Sequence, residues 1–301
     1  MTNVVTVTCS GDKWVMALQA HSMEKHVVDP ITHYVLIEDD TMDILEWEFL
    51  LKPIYKKHKL VLIDRNSNPE LYIGFNKNTN DYVESGWHRQ QILKLTISQK
   101  IKTDYYVTLD SKNIFINSTE INKSCHGFEG SGTLLPFDID GEKDIPGVSF
   151  WEPWAKILEN KYDFLIRPKN IWFAGTPFIF KTSVVNQILE KIDLVTDFNI
   201  IRDELVIPPS EYVLYAYFSK NIKNHIDFPI KSHSIDLLKN DIKEVKKLFY
   251  KCSTMTMLTA YRRNADEDNR KFFKYIIPYL INYAELDPIY VNMLYLNRKN
   301  G

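Results

Sequence analysis

With 301 residues the chain is long enough to bury a sizeable core, in one large α/β domain or two small ones, and its 45% hydrophobic and 25% charged content is that of a folded protein. Intrinsic disorder is thereby excluded as the default. A formal net charge of -2 supplies no general attraction to nucleic acid or to an anionic membrane, so nucleic-acid partners are disfavoured.

Val4–Thr8 alternates around β-branched residues and reads as a strand, followed by a turn at Cys9-Ser10-Gly11-Asp12 and a helix from Trp14 to about Val27. A second strand, His33–Ile37, ends in Glu38-Asp39-Asp40. Asp43–Lys56 is acidic first and basic last, a charge order that suits the helix dipole. The strand Leu60–Ile63 ends in Asp64-Arg65-Asn66, and a polar loop, Ser67–Thr79, leads to a helix from about Ser85 to Ile101. Tyr105–Leu109 is the next strand. The stretch from Asn117 to Gly147 is rich in Gly, Ser, Asp and Pro without a sustained period, the mark of a long functional loop or an irregular hairpin. Ile171–Phe180 reads as a strand around Gly175-Thr176-Pro177, and Thr182–Ile192 as the helix after it. Ser210 is a candidate N-cap for a helix running through Ala216. From Asp236 to about Leu286 the pattern is largely helical and rich in Lys, Tyr and Phe. Alternation of strand and helix predicts a mixed, mostly parallel sheet flanked by helices. The division expected is a domain over residues 1–235 and a helical C-terminal appendage over 236–301.

Cys9, Cys125 and Cys252 lie far apart, with no CxxC pair and an odd total, and read as reduced thiols of a cytoplasmic protein. The N-terminus shows no basic region with an apolar signal core, and no apolar run approaches the ~20 residues that span a bilayer.

Tyr105-Tyr106-Val107-Thr108-Leu109-Asp110-Ser111-Lys112 is an apolar strand that ends on one carboxylate and at once turns polar. In an open α/β sheet the carboxyl ends of the strands face the ligand crevice, so Asp110 is placed to touch a ligand. It is a suitable ligand for Mn²⁺ or Mg²⁺, and equally a residue that caps a turn. Ser111 can bond ribose or phosphate. Lys112 stands where a second carboxylate would complete an Asp-any-Asp pattern; its charge opposes a metal there or itself meets a phosphate.

Three separated motifs carry a resemblance to a known family. They are Gly86-Trp87-His88-Arg89-Gln90-Gln91-Ile92-Leu93-Lys94-Leu95, the strand ending in Leu109-Asp110-Ser111-Lys112, and Ser210-Glu211-Tyr212-Val213-Leu214-Tyr215. In this order they resemble a group of bacterial and phage glycosyltransferase-like proteins, DUF6492-like, placed among GT-A glycosyltransferases. The pattern of that group is Gly-Trp, a Gln-Gln-Leu-Lys-Leu helix, Leu-Asp-Ser-Asp and Ser-Glu-Tyr with a following Leu-Tyr. The departure is Lys112 in place of the second Asp, which puts metal dependence in question.

The resemblance covers positions from about 4 to 235 and implies a GT-A-like (Rossmann-like) fold that binds a UDP- or GDP-linked sugar and transfers it to a glycan or other hydroxyl. It implies that Gln91 and Lys94 seat the sugar nucleotide. Glu211, in a first helical turn, is the candidate base that takes the acceptor's proton if the transfer inverts configuration, or else an ordinary acidic residue of such a turn. His233 is a candidate metal or diphosphate contact, and Lys231 a second phosphate contact. Trp151 and Trp154 can form a sugar platform, with Gly175 in its floor, or else pack in the core.

A non-catalytic glycan-binding or scaffold protein, with Lys112 as the sign of lost catalysis, and a nucleotidyltransferase are the rival readings. The second lacks a full Gly-rich basic loop after the first strand. The absence of P-loop, dinucleotide, nucleophile-elbow and zinc-helix motifs removes other common enzyme classes. The Tyr- and Phe-rich tail can dock on its own domain or form a homo-oligomer.

Overall fold

The computed structural model describes residues 2–39, 43–78, 82–83, 86–122, 132–134, 156–165, 174–198, 211–219, 232–235, 254–257 and 277–296, with backbone alone for 132–134, 174–175, 232–235, 254–257 and 293–296. Among the described residues the principal sheet has six strands. They are β1 (Thr2–Thr8), β2 (Ile31–Ile37), β3 (Lys59–Ile63), β4 (Tyr105–Asp110), β6 (Gly132–Leu134) and β7 (Ala174–Lys181). Their order is β3-β2-β1-β4-β7-β6. β1 runs parallel to both β2 and β4, and β2 to β3, whereas β7 is antiparallel to β4 and to β6. A mixed, mostly parallel sheet is therefore present, as the alternation of elements predicts.

The helices that accompany these strands include α1 (Lys13–His26), α2 (Ile44–Leu51), α3 (Gly86–Thr96), α4 (Thr182–Lys191), α5 (Glu211–Ser219) and α6 (Pro288–Leu296). A strand covered on both faces cannot alternate simply between core and water, and β1 accordingly is buried at every residue. Val5 and Val7 join Leu93 of α3, Val185 of α4 and Leu214 of α5 in one apolar cluster. Val4 joins Met23 of α1 and Val107 of β4 in another. A third cluster packs Met16 and Ala20 of α1 on Val35 of β2 and on Trp47 and Leu51 of α2. The molecule is thus layered, with α1 and α2 on one face of the sheet and α3, α4 and α5 on the other.

β5 (Asn113–Phe115) follows β4 after a two-residue turn and leaves the main sheet. It pairs antiparallel with β9 (Thr254–Met257), which lies parallel to β8 (Ser232–Ile235). Strand β9 falls in a stretch that reads as helical from its pattern, because four residues of Thr and Met carry no period that tells strand from helix. The tail also returns to the main body. Tyr290 of α6 stacks on His21 of α1 with ring centroids 4.6 Å apart, and the Asp287 backbone N–H donates to His21 Nε2 at 3.0 Å. Lys25 Nζ donates to the Glu285 carbonyl at 2.5 Å and to its carboxylate at 3.1 Å.

Element ends differ from the sequence expectation where capping decides them. Asp43 is the N-cap of α2, its carboxylate accepting from the Leu45 N–H at 2.9 Å, and the helix stops at Leu51, short of the expected Lys56. α3 gives way at Thr96 to a 3-10 turn, Ile97–Gln99, and does not run to Ile101. Ser210 and residues 171–173 lie outside the described residues. Among those described, no helix is long and apolar enough to cross a membrane.

Candidate active site

The C-terminal ends of β1, β2 and β4 meet the start of α3 on one edge of the sheet. Asp110 is the last residue of β4, and its main chain is held from several sides. The Asp110 N–H donates to Asn113 Oδ1 at 2.7 Å, closing the turn into β5. Gln19 Nε2, from the buried face of α1, donates to the carbonyls of both Asp110 (2.6 Å) and Asn113 (3.0 Å). Gln19 Oε1 must then accept, and it takes the hydroxyl of Thr6 at 2.9 Å. Thr6 Oγ1, having given its proton, accepts from His33 Nε2 at 2.9 Å, which leaves His33 Nδ1 to accept from the Tyr55 hydroxyl at 2.5 Å. One directed chain of hydrogen bonds therefore runs from Tyr55 to the Asp110 turn through side chains that are fully buried or nearly so.

Beneath the Asp110 carboxylate lies Lys94 of α3. Its Nζ donates to Asp110 Oδ1 at 2.9 Å and to Glu211 Oε1, in the first turn of α5, at 3.1 Å. Lys112 approaches Asp110 Oδ2 from the other side at 3.6 Å. Side-chain exposure divides the four: Asp110 at 28% and Lys112 at 33% face outward, whereas Lys94 at 4% and Glu211 at 1% lie in the interior. Burial alone would raise the Asp110 carboxyl, but the ammonium groups of Lys94 and Lys112 outweigh it and hold it well below the usual carboxylate range. Burial would likewise strip the proton from Lys94, and Asp110 with Glu211 reverses that, keeping the ammonium charged. Burial pushes the Glu211 carboxyl up, with Lys94 opposing.

The surrounding polar residues are largely engaged with one another. Ser111 Oγ donates to Asp12 Oδ2 at 2.6 Å. The Ser10 N–H and hydroxyl both donate to Asp39, tying the end of β1 to the end of β2. Glu38 Oε1 accepts from Arg89 Nε and Nη2 at 3.2 and 2.9 Å, and its Oε2 accepts from Gln90 at 3.3 Å. Arg89 further donates to the Tyr82 hydroxyl and the Val83 carbonyl, fastening the preceding loop to α3. Cys9 stands at the same edge. Its thiol is pushed up to about 12 by burial, and then by Asp12, Asp39 and Glu38, so it is no thiolate nucleophile.

Of the residues singled out from the sequence, Lys94, Asp110, Lys112 and Glu211 are brought into one cluster. Ser111 is adjacent but turned to Asp12. Gln91 is buried, its Nε2 donating to the Trp87 carbonyl of its own helix, while its Oε1 has no partner. Lys94 and Gln91 are therefore interior groups of α3, Lys94 being turned toward Asp110 and Glu211. The backbone of Gly175 lies in β7 next to Thr176, whose side chain bonds Asp110. The backbone of His233 lies in β8. Trp151, Trp154 and Lys231, and the side chain of His233, lie outside what is described.

Asp12, Gln19, Thr6, His33, Asn113 and Arg89 are the residues that sequence reasoning passed over. Gln19 carried a signal, being an amide inside the otherwise apolar run Val15–Ala20. The others carry none until their partners are in place.

A family profile described as a family of unknown function, DUF6492, matches residues 9–274. The chain belongs to the DUF6492 family. Among solved structures, this DUF6492 protein is similar to mouse xyloside xylosyltransferase 1 in its apo form, at 9% identity over 86% of this chain and 98% of that one, with a TM-score of 0.46. It is also similar to the galactosyltransferase LgtC in complex with donor and acceptor sugar analogues, at 9% identity over 72% of this chain and 70% of that one, with a TM-score of 0.42. No curated protein matches the DUF6492 chain.

The side chains described at this edge do not by themselves make a site for the divalent metal implied by the resemblance, and the side chain of His233, the other residue expected to hold it, lies outside them. A hard cation takes about six or more oxygen ligands at about 2.0–2.6 Å, several of which water and phosphate can supply, so the protein need offer only one or two free carboxylates. Here the Asp110 carboxylate already meets two ammonium groups, and Asp12, Asp39 and Glu38 are each taken by protein hydrogen-bond donors. Among the described residues no three His, Cys, Asp or Glu side chains converge.

Proposed function

We propose that this DUF6492 protein is a glycosyltransferase, moving a sugar from a UDP- or GDP-linked donor to a hydroxyl of a glycan or similar acceptor, in the manner of polysaccharide biosynthesis in the cytoplasm. The observation that carries this reading is Asp110 at the carboxyl end of a central parallel strand, half open to the crevice, with the Lys112 ammonium beside it and a buried Lys94–Glu211 pair below. Departure of a nucleoside diphosphate develops negative charge on phosphate oxygens, and fixed positive groups in a partly dehydrated site stabilise that charge. Lys112 is the outward cation of the cluster. Asp110 orients it and is itself held rigid through Lys94 and through Gln19.

In this reading Glu211 acts on Lys94. A base for the acceptor hydroxyl must come within hydrogen-bond reach of it, and Glu211, 1% exposed and bonded to Lys94, would first have to be released from that bond to serve as one. A retaining transfer, which needs no such base, therefore suits the geometry better than an inverting one with Glu211. Gln91 braces the helix behind the nucleotide sugar, and Trp151, Trp154, Gly175, Lys231 and His233 remain the proposed contacts on the acceptor and diphosphate sides. Glu285 and Tyr290 of the tail meet α1 at Lys25 and His21, and the tail remains the proposed surface for a homo-oligomer.

The test is release of nucleotide from a panel of UDP- and GDP-sugars, followed chromatographically for the wild type and Asp110→Asn. Turnover of one donor, lowered at least tenfold in the variant, is the expected result. Binding of a nucleotide sugar without turnover moves the assignment to a glycan-binding or scaffold protein, which Lys112 in the place of a carboxylate also suits.

A further inference from the structure

We infer that the diphosphate of the nucleotide ligand is held by Lys112 without a divalent cation, so that nucleotide binding at this site is metal-independent. The inference rests on the nucleotide-sugar reading above and concerns how the same site neutralises charge.

Four charged groups make up the cluster: the Asp110 and Glu211 carboxylates and the Lys94 and Lys112 ammonium groups. Their formal charges cancel. Lys94 bridges both carboxylates from below, at 2.9 and 3.1 Å, and so occupies the bridging position that a cation shared between two acids would take. A second cation entering at Asp110 Oδ2 would have to lie close to the Lys112 ammonium, which already stands 3.6 Å from that oxygen. Like charges at such separation repel, the more so once a bound ligand has displaced water.

Among the described residues the neighbouring carboxylates are each engaged: Asp12 accepts from Ser111, Asp39 from Ser10, and Glu38 from Arg89 and Gln90, so a cation entering here would have to share oxygens that protein donors already hold.

Lys112 has the opposite character. At 3.6 Å from Asp110 its ammonium is oriented by the carboxylate yet lies beyond normal hydrogen-bond length, and a third of its side chain is exposed. An ammonium on a flexible stem is a point charge with three rotatable N–H groups, suited to phosphate oxygens. A ligand carrying two or three negative charges therefore finds at this edge a cation that Asp110 aims but does not consume.

Calorimetric titration of UDP and GDP into the full chain, in EDTA and in Mn²⁺, tests this, with Lys112→Ala, Lys112→Arg and Lys112→Asp alongside and circular dichroism to verify their folding. The wild type is expected to bind one of the two with dissociation constants that agree within about twofold in EDTA and Mn²⁺. Lys112→Ala is expected to weaken binding about tenfold, as for loss of one charge-assisted contact, while Lys112→Arg retains most of it. Lys112→Asp abolishes binding in EDTA. Wild-type binding that requires Mn²⁺, or metal-free binding unchanged in Lys112→Ala, overturns the inference and leaves the nucleotide-sugar reading standing. Failure of the wild type to bind either UDP or GDP in either condition overturns that reading and the inference with it.

Discussion

Lys94 is the side chain on which the cluster depends. An ammonium at 4% exposure is tolerated because two carboxylates flank it, and the Tyr212 ring lies 5.8 Å from it on a further side. Removing one member of a buried ionic group leaves the rest uncompensated, which costs more than the group as a whole contributes. Lys94→Met is therefore expected to lower unfolding stability by about 3 kcal/mol, read from urea denaturation. Adding Glu211→Leu to Lys94→Met should recover part of that loss, since the stranded buried acid is removed too. Additive losses in the double variant would show that the two side chains act independently. Gly86 illustrates a different residue-level constraint. A Cβ there would stand 2.9 Å from Glu38 Oε1, and that carboxylate is not free to swing away while Arg89 and Gln90 hold it.

At the level of elements, the placement of Asp110 depends on α1 as much as on β4. The Thr6 hydroxyl and the Gln19 amide face each other between β1 and α1, and Gln19 reaches past the strand end to the β4–β5 turn. Replacing Gln19 with Leu keeps the packing volume but leaves the carbonyls of Asp110 and Asn113 short of a donor. A loss of about 1–3 kcal/mol in unfolding free energy is expected, together with weaker nucleotide binding, because the turn that aims Asp110 loses its brace. Unchanged affinity in a destabilised Gln19→Leu would restrict the chain of hydrogen bonds to a structural role. Arg89 does comparable work for the polar loop, bonding Tyr82, Val83 and Glu38 while lying 5.4 Å from the Phe75 ring.

For the molecule as a whole, buried histidines set the response to acid. Burial lowers His33 to about 3 and His88 to about 4, and it also lowers His21, His26 and His58 from their ordinary value of 6.5. The unfolded chain therefore binds protons that the folded chain refuses. Stability is full above about pH 6.5 and declines as pH falls from there toward about 3, where even His33 titrates. In thermal melts the midpoint should be level near pH 7–8 and fall steadily on acidification toward pH 4.5. A midpoint unchanged over that range would contradict the neutral, buried state assigned to these side chains. His21 links this behaviour to the tail: its Nε2 accepts the Asp287 N–H, an acceptance that protonation abolishes. Lys25, Glu24, His26, Asp287 and the Tyr290 ring are the other groups near it.

Much of the architecture is legible along the chain. Short β-branched runs ending in acidic residues, separated by amphipathic stretches, are enough to place β1, β2, β3 and β4 within two residues and to set Asp110 at a strand end, because strand period and turn chemistry are encoded in adjacent side chains. The motif around Gln91 and Lys94 is equally visible as a helix. Its facing is not, since three-and-four spacing puts polar residues on neighbouring faces without saying which face meets solvent. That Lys94 turns inward to Glu211, 117 residues away, follows only once α3 and α5 are layered on the same side of the sheet. The same holds for β9, whose four residues become a strand by pairing with β5 and β8. It holds also for the Tyr55–His33–Thr6–Gln19 chain, in which each polar group is buried because the next one satisfies it. Local pattern determines elements and their order; long-range burial determines which charges meet, because desolvation makes only the paired arrangement stable.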